Sequence, residues 1–326
     1  MTPLTRRWIG GISLLGLAAF GGCSTAEQSE ELGIIAIEGG TVFTSPGVVP
    51  VEDGVVLVIN GVIEAVGPRG TVSIPSAAVR IDAVGLSVLP GFWNARVQAD
   101  QELLSAAASG SDEELQLLLQ DRFTRFGFSS VVEAVTPRDS LALLIERIES
   151  GAVAGPRILA IGGTTIEGVH WATPAELLDP ESGLAPFAQS DSAVIFSLAA
   201  TQREATARAS GDPVAEEDPL GLALTRLRGF LDAGGRIVFG TGAGFAGQYD
   251  PLTDHLLLEE AGIPFPFRLA ALTTEAAGRF GYLYLGAIEP GMVADLVLLA
   301  GDPELDATAF TQVRVVLREG RPLFVR

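Results

Sequence analysis

The chain has 326 residues, 48% of them hydrophobic, which is enough for a large buried core in one large or two small domains and excludes a chain disordered by composition. Its 40 acidic and 21 basic residues give a formal charge of -19, which excludes a basic nucleic-acid-binding face and fits an acidic, soluble surface. Every basic residue is arginine and histidine occurs only at His170 and His255, so a Schiff-base lysine, a phosphate-loop lysine and a carbamylated lysine bridging two metals are all excluded.

The N-terminus carries Arg6 and Arg7, then an apolar run from Trp8 to Phe20 too short for a stable bilayer span, then Gly21, Gly22 and Cys23. This resembles a bacterial lipoprotein signal, cut before Cys23, whose thiol is then lipidated; the alternative is a buried N-terminal helix with an incidental cysteine. The resemblance implies a membrane partner through a lipid anchor and a place in the cell envelope. Ser24 suggests the periplasmic face of the outer membrane where the source has one. Cys23 is the sole cysteine, so no disulfide is expected within the mature chain. Residues 24–32 are polar and acidic and read as a tether.

From 33 to 86, short β-rich runs alternate with Gly, Pro and Asp: 34–37, 41–44, 54–59, 62–66 and 78–81, with Asn60-Gly61 as a hairpin signal. Residues 287–326 behave alike, with strands at 295–299, 313–317 and 322–325. Two β-rich ends around an α/β middle suggest that the ends pair as one small composite β-sandwich. The middle, 87–286, alternates strands (87–89, 129–135, 157–161, 193–198, 236–240) with helices (112–125, 140–149, 220–233, 253–261, 267–280), the pattern of βα units on a parallel sheet.

Several phrases along this stretch carry a family likeness. Val88-Leu-Pro-Gly-Phe-Trp-Asn94, Arg125-Phe-Gly-Phe-Ser-Ser-Val-Val132, the run from Glu149 to Leu159, Gly235-Arg-Ile-Val-Phe-Gly-Thr-Gly-Ala-Gly244, and Gly286 to Leu299 followed by Gly301-Asp-Pro303 stand in one order. Together they resemble the metal-dependent amidohydrolase superfamily, in particular its imidazolonepropionase-like and prolidase-like members. That resemblance implies a (β/α) TIM-type barrel with a β-sandwich. It implies metal-assisted hydrolysis of a C–N bond, using a divalent metal such as zinc and an Asp on the eighth strand as general base. About five strands are legible where a closed barrel needs eight, so the expected fold is α/β with an incomplete or distorted barrel.

The family's ligands are replaced. Its His-x-His pair falls on Arg96 and Gln98, and its strand-eight Asp falls on Gly242. A guanidinium has no lone pair to give a metal and an amide is a poor zinc ligand, so no metal cofactor is expected. His170 is either a remnant ligand or an imidazole partly buried beside Trp171, and His255 reads as a helix-surface residue. Arg96 either holds an anionic ligand or pairs with a buried Glu133. Asp100 is a further carboxylate near a strand end, and Asp250 and Asp254 fit turn and N-cap roles.

The expected protein is therefore an amidohydrolase-like lipoprotein without catalysis, a pseudoenzyme with a binding or interaction role. The rival expectation is an active hydrolase of C–N bonds with an atypical metal site. Ligand candidates are Arg96, Glu133 and His170. The open sheet edges are expected at 158–161 and 194–198, covered by a second copy of the chain or another partner, or by segment 163–192 folded across the opening.

Overall fold

The computed structural model describes residues 33–162, 167–179, 184–211, 218–245 and 247–326. The signal segment and tether read in the sequence, and parts of segment 163–192, lie outside the described residues.

The chain opens with five strands, β1 (Ile34–Val42), β2 (Val51–Ile59), β3 (Val62–Pro68), β4 (Val79–Asp82) and β5 (Leu86–Pro90). It closes with β12 (Leu296–Ala300), β13 (Val313–Arg318) and β14 (Arg321–Val325). These eight form one sheet in the order β14-β13-β12-β5-β1-β2-β3, with β4 pairing β1. Two tight hairpins set its register. Asn60 and Gly61 have φ of 50° and 79°, and Glu319 and Gly320 have 53° and 74°, the positive-φ pair whose twist matches that of the flanking strands. The sheet wraps its own core, in which Ile37, Val56 and Ile63 meet Leu296, Leu298 and Leu317. The two chain ends thus share one sheet, and Ser87–Leu89, expected to open the middle layer, belongs to it.

Between these ends lie β6 (Phe92–Val97), α1 (Gln101–Ser109), α2 (Asp112–Arg122), β7 (Phe128–Glu133), α3 (Arg138–Glu149), β8 (Arg157–Ala160) and β9 (Val169–Trp171). They are followed by α4 (Pro174–Leu178), α5 (Ala185–Ala188), β10 (Ala193–Phe196), α6 (Leu198–Gly211), α7 (Pro219–Asp232) and β11 (Arg236–Phe239), and then by α8 (Leu252–Glu260), α9 (Phe265–Leu272) and α10 (Thr274–Arg279). Two parallel three-stranded sheets result, β6-β7-β8 and β11-β10-β9. A parallel bridge from Val97 to Ala243 joins them, with Gly242 N–H donating to the Arg96 carbonyl at 2.9 Å and Gln98 N–H to the Ala243 carbonyl at 2.8 Å.

The combined order is β8-β7-β6-β11-β10-β9, and among the described residues no pairing joins β8 to β9. The fold is mixed α/β, and the described strands form no closed barrel. One edge is where it was expected, at 158–161, since β8 ends its sheet; the other is not at 194–198, because β10 is central, flanked by β9 and β11, and β9 is the second edge. Segment 163–192 supplies that edge strand, which at three residues is too short to show a period.

Trp93, Ala95, Val132, Ile195 and Val238 fill the space between the two parallel sheets, with Trp171 and Phe280 packed against them. Helices cover the outer faces through a larger core that includes Leu103, Leu119, Leu227, Phe239 and Leu269. The expected helix over 267–280 is two: Thr273 leaves helical geometry at φ -132° and ψ -90°, and its hydroxyl back-bonds to the Leu269 carbonyl at 2.6 Å. No described helix is long and apolar enough to cross a membrane.

Candidate functional site

The C-terminal ends of the parallel strands gather the positions singled out by the sequence. Arg96 sits on β6 with its Cβ against Gly240, where an added Cβ would stand 2.9 Å from it. Its guanidinium reaches across the strand ends, and Nη1 donates to the carbonyl of Ala172, just beyond edge strand β9, at 3.0 Å. The Phe245 ring lies 5.6 Å away, within cation–π range. Burial pulls the Arg96 guanidinium below its ordinary pKa while Glu176 opposes the shift. The group stays cationic, because an arginine starts so far above neutrality.

The backbones of Arg96, Gln98 and Gly242 adjoin through the β6–β11 bridge, so the three positions where the resemblance puts ligands do come together. Gly242 has φ of 67°, and a Cβ there would meet nothing closer than 3.8 Å. There is open space beside it, but the positive φ disfavours any L side chain at this position.

His170 lies on β9, half-buried, with Nε2 3.1 Å from Glu176 Oε1 and its ring stacked on Phe187 at 4.1 Å. Glu176 comes from α4, which opens with a capping box: the Thr173 hydroxyl accepts from Glu176 N–H, and the Glu176 carboxylate accepts from Thr173 N–H at 2.6 Å. Burial resists its ionisation, but the Thr173 bonds and His170 outweigh that and hold its pKa below the usual range. Arg96, His170 and Glu176 thus form one cluster about the end of β9. Glu176 is not among the candidates read from the sequence, although Thr173-Pro-Ala-Glu176 is a legible helix-start signal.

Glu133 does not pair with Arg96. It is 1% exposed, and its carboxylate accepts from Thr136 N–H at 2.9 Å and Thr136 O–H at 2.9 Å. Burial raises its pKa against those bonds. Asp100 caps α1 by accepting from Leu103 N–H at 2.8 Å. It also holds Arg122 Nε at 2.9 Å and takes the Tyr249 hydroxyl, whose pKa is driven up by burial and by that carboxylate.

Asp250 makes the expected turn, accepting from Leu252 N–H at 2.9 Å. Asp254 does not cap its own helix. It is buried and accepts from Ala199 N–H at 3.0 Å, in the first turn of α6, and from the Ser197 hydroxyl at 3.4 Å. Burial pushes its pKa up to about 7. His255 is a clear correction: it is 1% exposed rather than on the surface. Its ring is sandwiched between Phe239 and Phe310, each at 4.7 Å, and neither nitrogen has a hydrogen-bond partner. Burial, reinforced by Arg268, pushes its pKa down to about 3, so the ring is neutral.

A metal centre of the implied kind does not fit these residues. A permanent cation, Arg96, stands where the resemblance puts the first ligand, and among the described residues no three of His, Cys, Asp and Glu come close enough together to hold a metal ion. No step of a metal-assisted reaction can be derived from this arrangement.

No family model matches the sequence, and no curated protein does. Solved structures do match. A candidate prolidase from Bifidobacterium longum superposes with a TM-score of 0.65 at 16% identity, over 89% of this chain and 94% of that one. Ochratoxinase from A. niger gives a TM-score of 0.63 at 12% identity, over 90% and 96%. Molinate hydrolase gives 0.60 at 18% identity, over 89% and 94%. The chain has the fold of prolidase-like amidohydrolase structures, as the sequence resemblance implies. At these identities the likeness is one of fold.

Proposed function

We propose that this chain is an amidohydrolase-fold protein of the cell envelope, anchored through an acylated Cys23, that has exchanged its metal centre for an arginine and serves a binding or interaction role without hydrolysis. In this reading the two parallel sheets are a reduced barrel, missing strands between β8 and β9. The observation that carries it is Arg96. At the place of a metal ligand stands a guanidinium that spans the strand ends to the Ala172 carbonyl, and it links first and edge strands much as a shared metal would.

The rival reading, an active hydrolase with an unusual ligand set, draws on the His170–Glu176 pair, the one imidazole–carboxylate contact at these strand ends among the described residues. Assays separate the two. Purified protein is incubated with Xaa-Pro dipeptides and simple amides, with and without added zinc. No turnover above buffer is expected. Turnover that His170→Ala abolishes would overturn the proposal and establish the rival.

A further inference from the structure

The described part of the chain begins at Gly33, and a line of backbone hydrogen bonds leads from there to an exposed apolar group. Asn60 N–H donates to the Gly33 carbonyl at 3.4 Å, and Ala294 N–H to the Gly61 carbonyl at 2.8 Å. Val62 bridges Val293, whose N–H donates to the Tyr284 carbonyl at 3.0 Å. Along this line Val62, Leu283 and Tyr284 are 40%, 70% and 71% exposed. Two large side chains that turn so much apolar surface to water, one of them a tyrosine, have the composition of a membrane-interface contact.

Between Cys23 and Gly33 lie nine residues, 24–32. Nine residues of chain can reach no further than about 30 Å. A lipid anchor on Cys23 therefore holds the Gly33 end of the fold close to the bilayer. It also raises the local concentration of lipid seen by any apolar side chain at that end. Val79, 65% exposed, pairs with Ile35 and shares this end of the fold. Val49, 84% exposed, is on the connection at the far end of β1, a nine-residue strand that spans about 30 Å.

We propose that the end of the fold carrying Val62, Leu283 and Tyr284 rests against the lipid surface in which Cys23 is anchored, which fixes the orientation of the protein on the membrane. The proposal rests on the lipid-anchor reading above. The net charge of -19 opposes broad contact with an anionic bilayer, so the contact is narrow, apolar and favoured by salt, because ions screen the repulsion while leaving apolar burial intact.

The test uses the full lipidated chain in vesicles of phosphatidylethanolamine and phosphatidylglycerol. Acylation blocks the Cys23 thiol, so Leu283→Cys and Val49→Cys each offer one thiol for an environment-sensitive fluorophore. Lipids carrying a spin-label quencher should quench the probe at 283 several-fold more strongly than the probe at 49, and added salt should preserve or deepen the difference. Equal quenching at both positions on protein whose acylation is verified by mass spectrometry would overturn the docking surface alone. Mass spectrometry that finds Cys23 unmodified would overturn the anchor reading and the docking surface with it.

Discussion

In the eight-stranded sheet, two strand pairs, β2–β3 and β13–β14, are joined by two-residue hairpins, and continuous apolar runs such as Val55 to Val58 are buried throughout. The parallel sheets are held differently: among the described residues no strand lies between β8 and β9, and arginines tie the two ends of this layer. At the strand beginnings, Arg157 on β8 contacts Asp295 at 2.7 Å, Glu319 at 2.9 Å and the Ser130 hydroxyl at 2.9 Å, joining the parallel layer to the chain-end sheet. At the strand ends, Arg96 reaches Ala172. One region is organised by buried apolar strands and turns, the other by a few cationic cross-links. Substitutions should therefore be felt unevenly.

The largest effect is expected at Arg157. Asp295 is 4% exposed, and removing its ion-pair partner leaves a buried carboxylate with only the Glu319 N–H and the more distant Arg318 to offset its charge, a loss of up to about 3–5 kcal/mol. Denaturant unfolding of Arg157→Ala should show a loss in that range, and a midpoint unchanged from the parent would remove the seam from the account. Arg96→Ala should cost about 1.5–3 kcal/mol, the range for a hydrogen bond made by a charged group. Hydrogen exchange should place the loss at β9 and α4 rather than in the chain-end sheet. Uniform loss of protection would deny Arg96 a bridging role.

Asp254 and His255 sharpen the comparison through pH. The folded pKa of Asp254, about 7, is above its unfolded value, so its contribution to stability is complete below about pH 4 and is lost as pH rises toward 7. The folded pKa of His255, about 3, is below its unfolded value, so its contribution is present above about pH 6.5 and is lost as pH falls toward 3. Between about pH 4 and 6.5 the two slopes oppose each other, each limited to about 1.4 kcal/mol per pH unit. Asp254→Asn should leave a stability that rises with pH across this window, and His255→Phe one that falls. Parallel profiles for the two variants would show that neither environment is as described. The smallest effect is expected for Glu176→Gln, about 0.2–1 kcal/mol, because the His170 pair is partly solvated and the amide oxygen can still accept from Thr173.

The hairpin at Asn60-Gly61, the pairing of the chain ends and the likeness to amidohydrolases were all legible in the sequence. Each is written in local turn chemistry or in phrases of several residues. β6 does not read as a strand by periodicity, since Asn94 and Arg96 interrupt its apolar run. Asn94 is nonetheless fully buried, its amide nitrogen donating to the Thr241 hydroxyl at 2.8 Å. α1 follows Asp100 with too few large apolar residues to show a period, though its cap is conventional. The run Leu256-Leu257-Leu258 reads as the buried face of α8, which puts His255 on the surface. That face holds Asp254, His255, Leu257 and Leu258, while Leu256 is 39% exposed. Polar side chains that pack inward cannot be told from surface residues by periodicity alone. Of the candidate site, the positions Arg96, Gln98 and Gly242 could be placed from the resemblance, whereas the Glu176 contact with His170 depends on where α4 turns back.

The claim that an arginine stands in place of a metal centre is tested most directly by elemental analysis of the purified mature protein after incubation with excess zinc and removal of free metal by gel filtration. The account predicts divalent metal far below one equivalent per chain, unchanged in His170→Ala. Retention of a full equivalent, lost in His170→Ala, would contradict it.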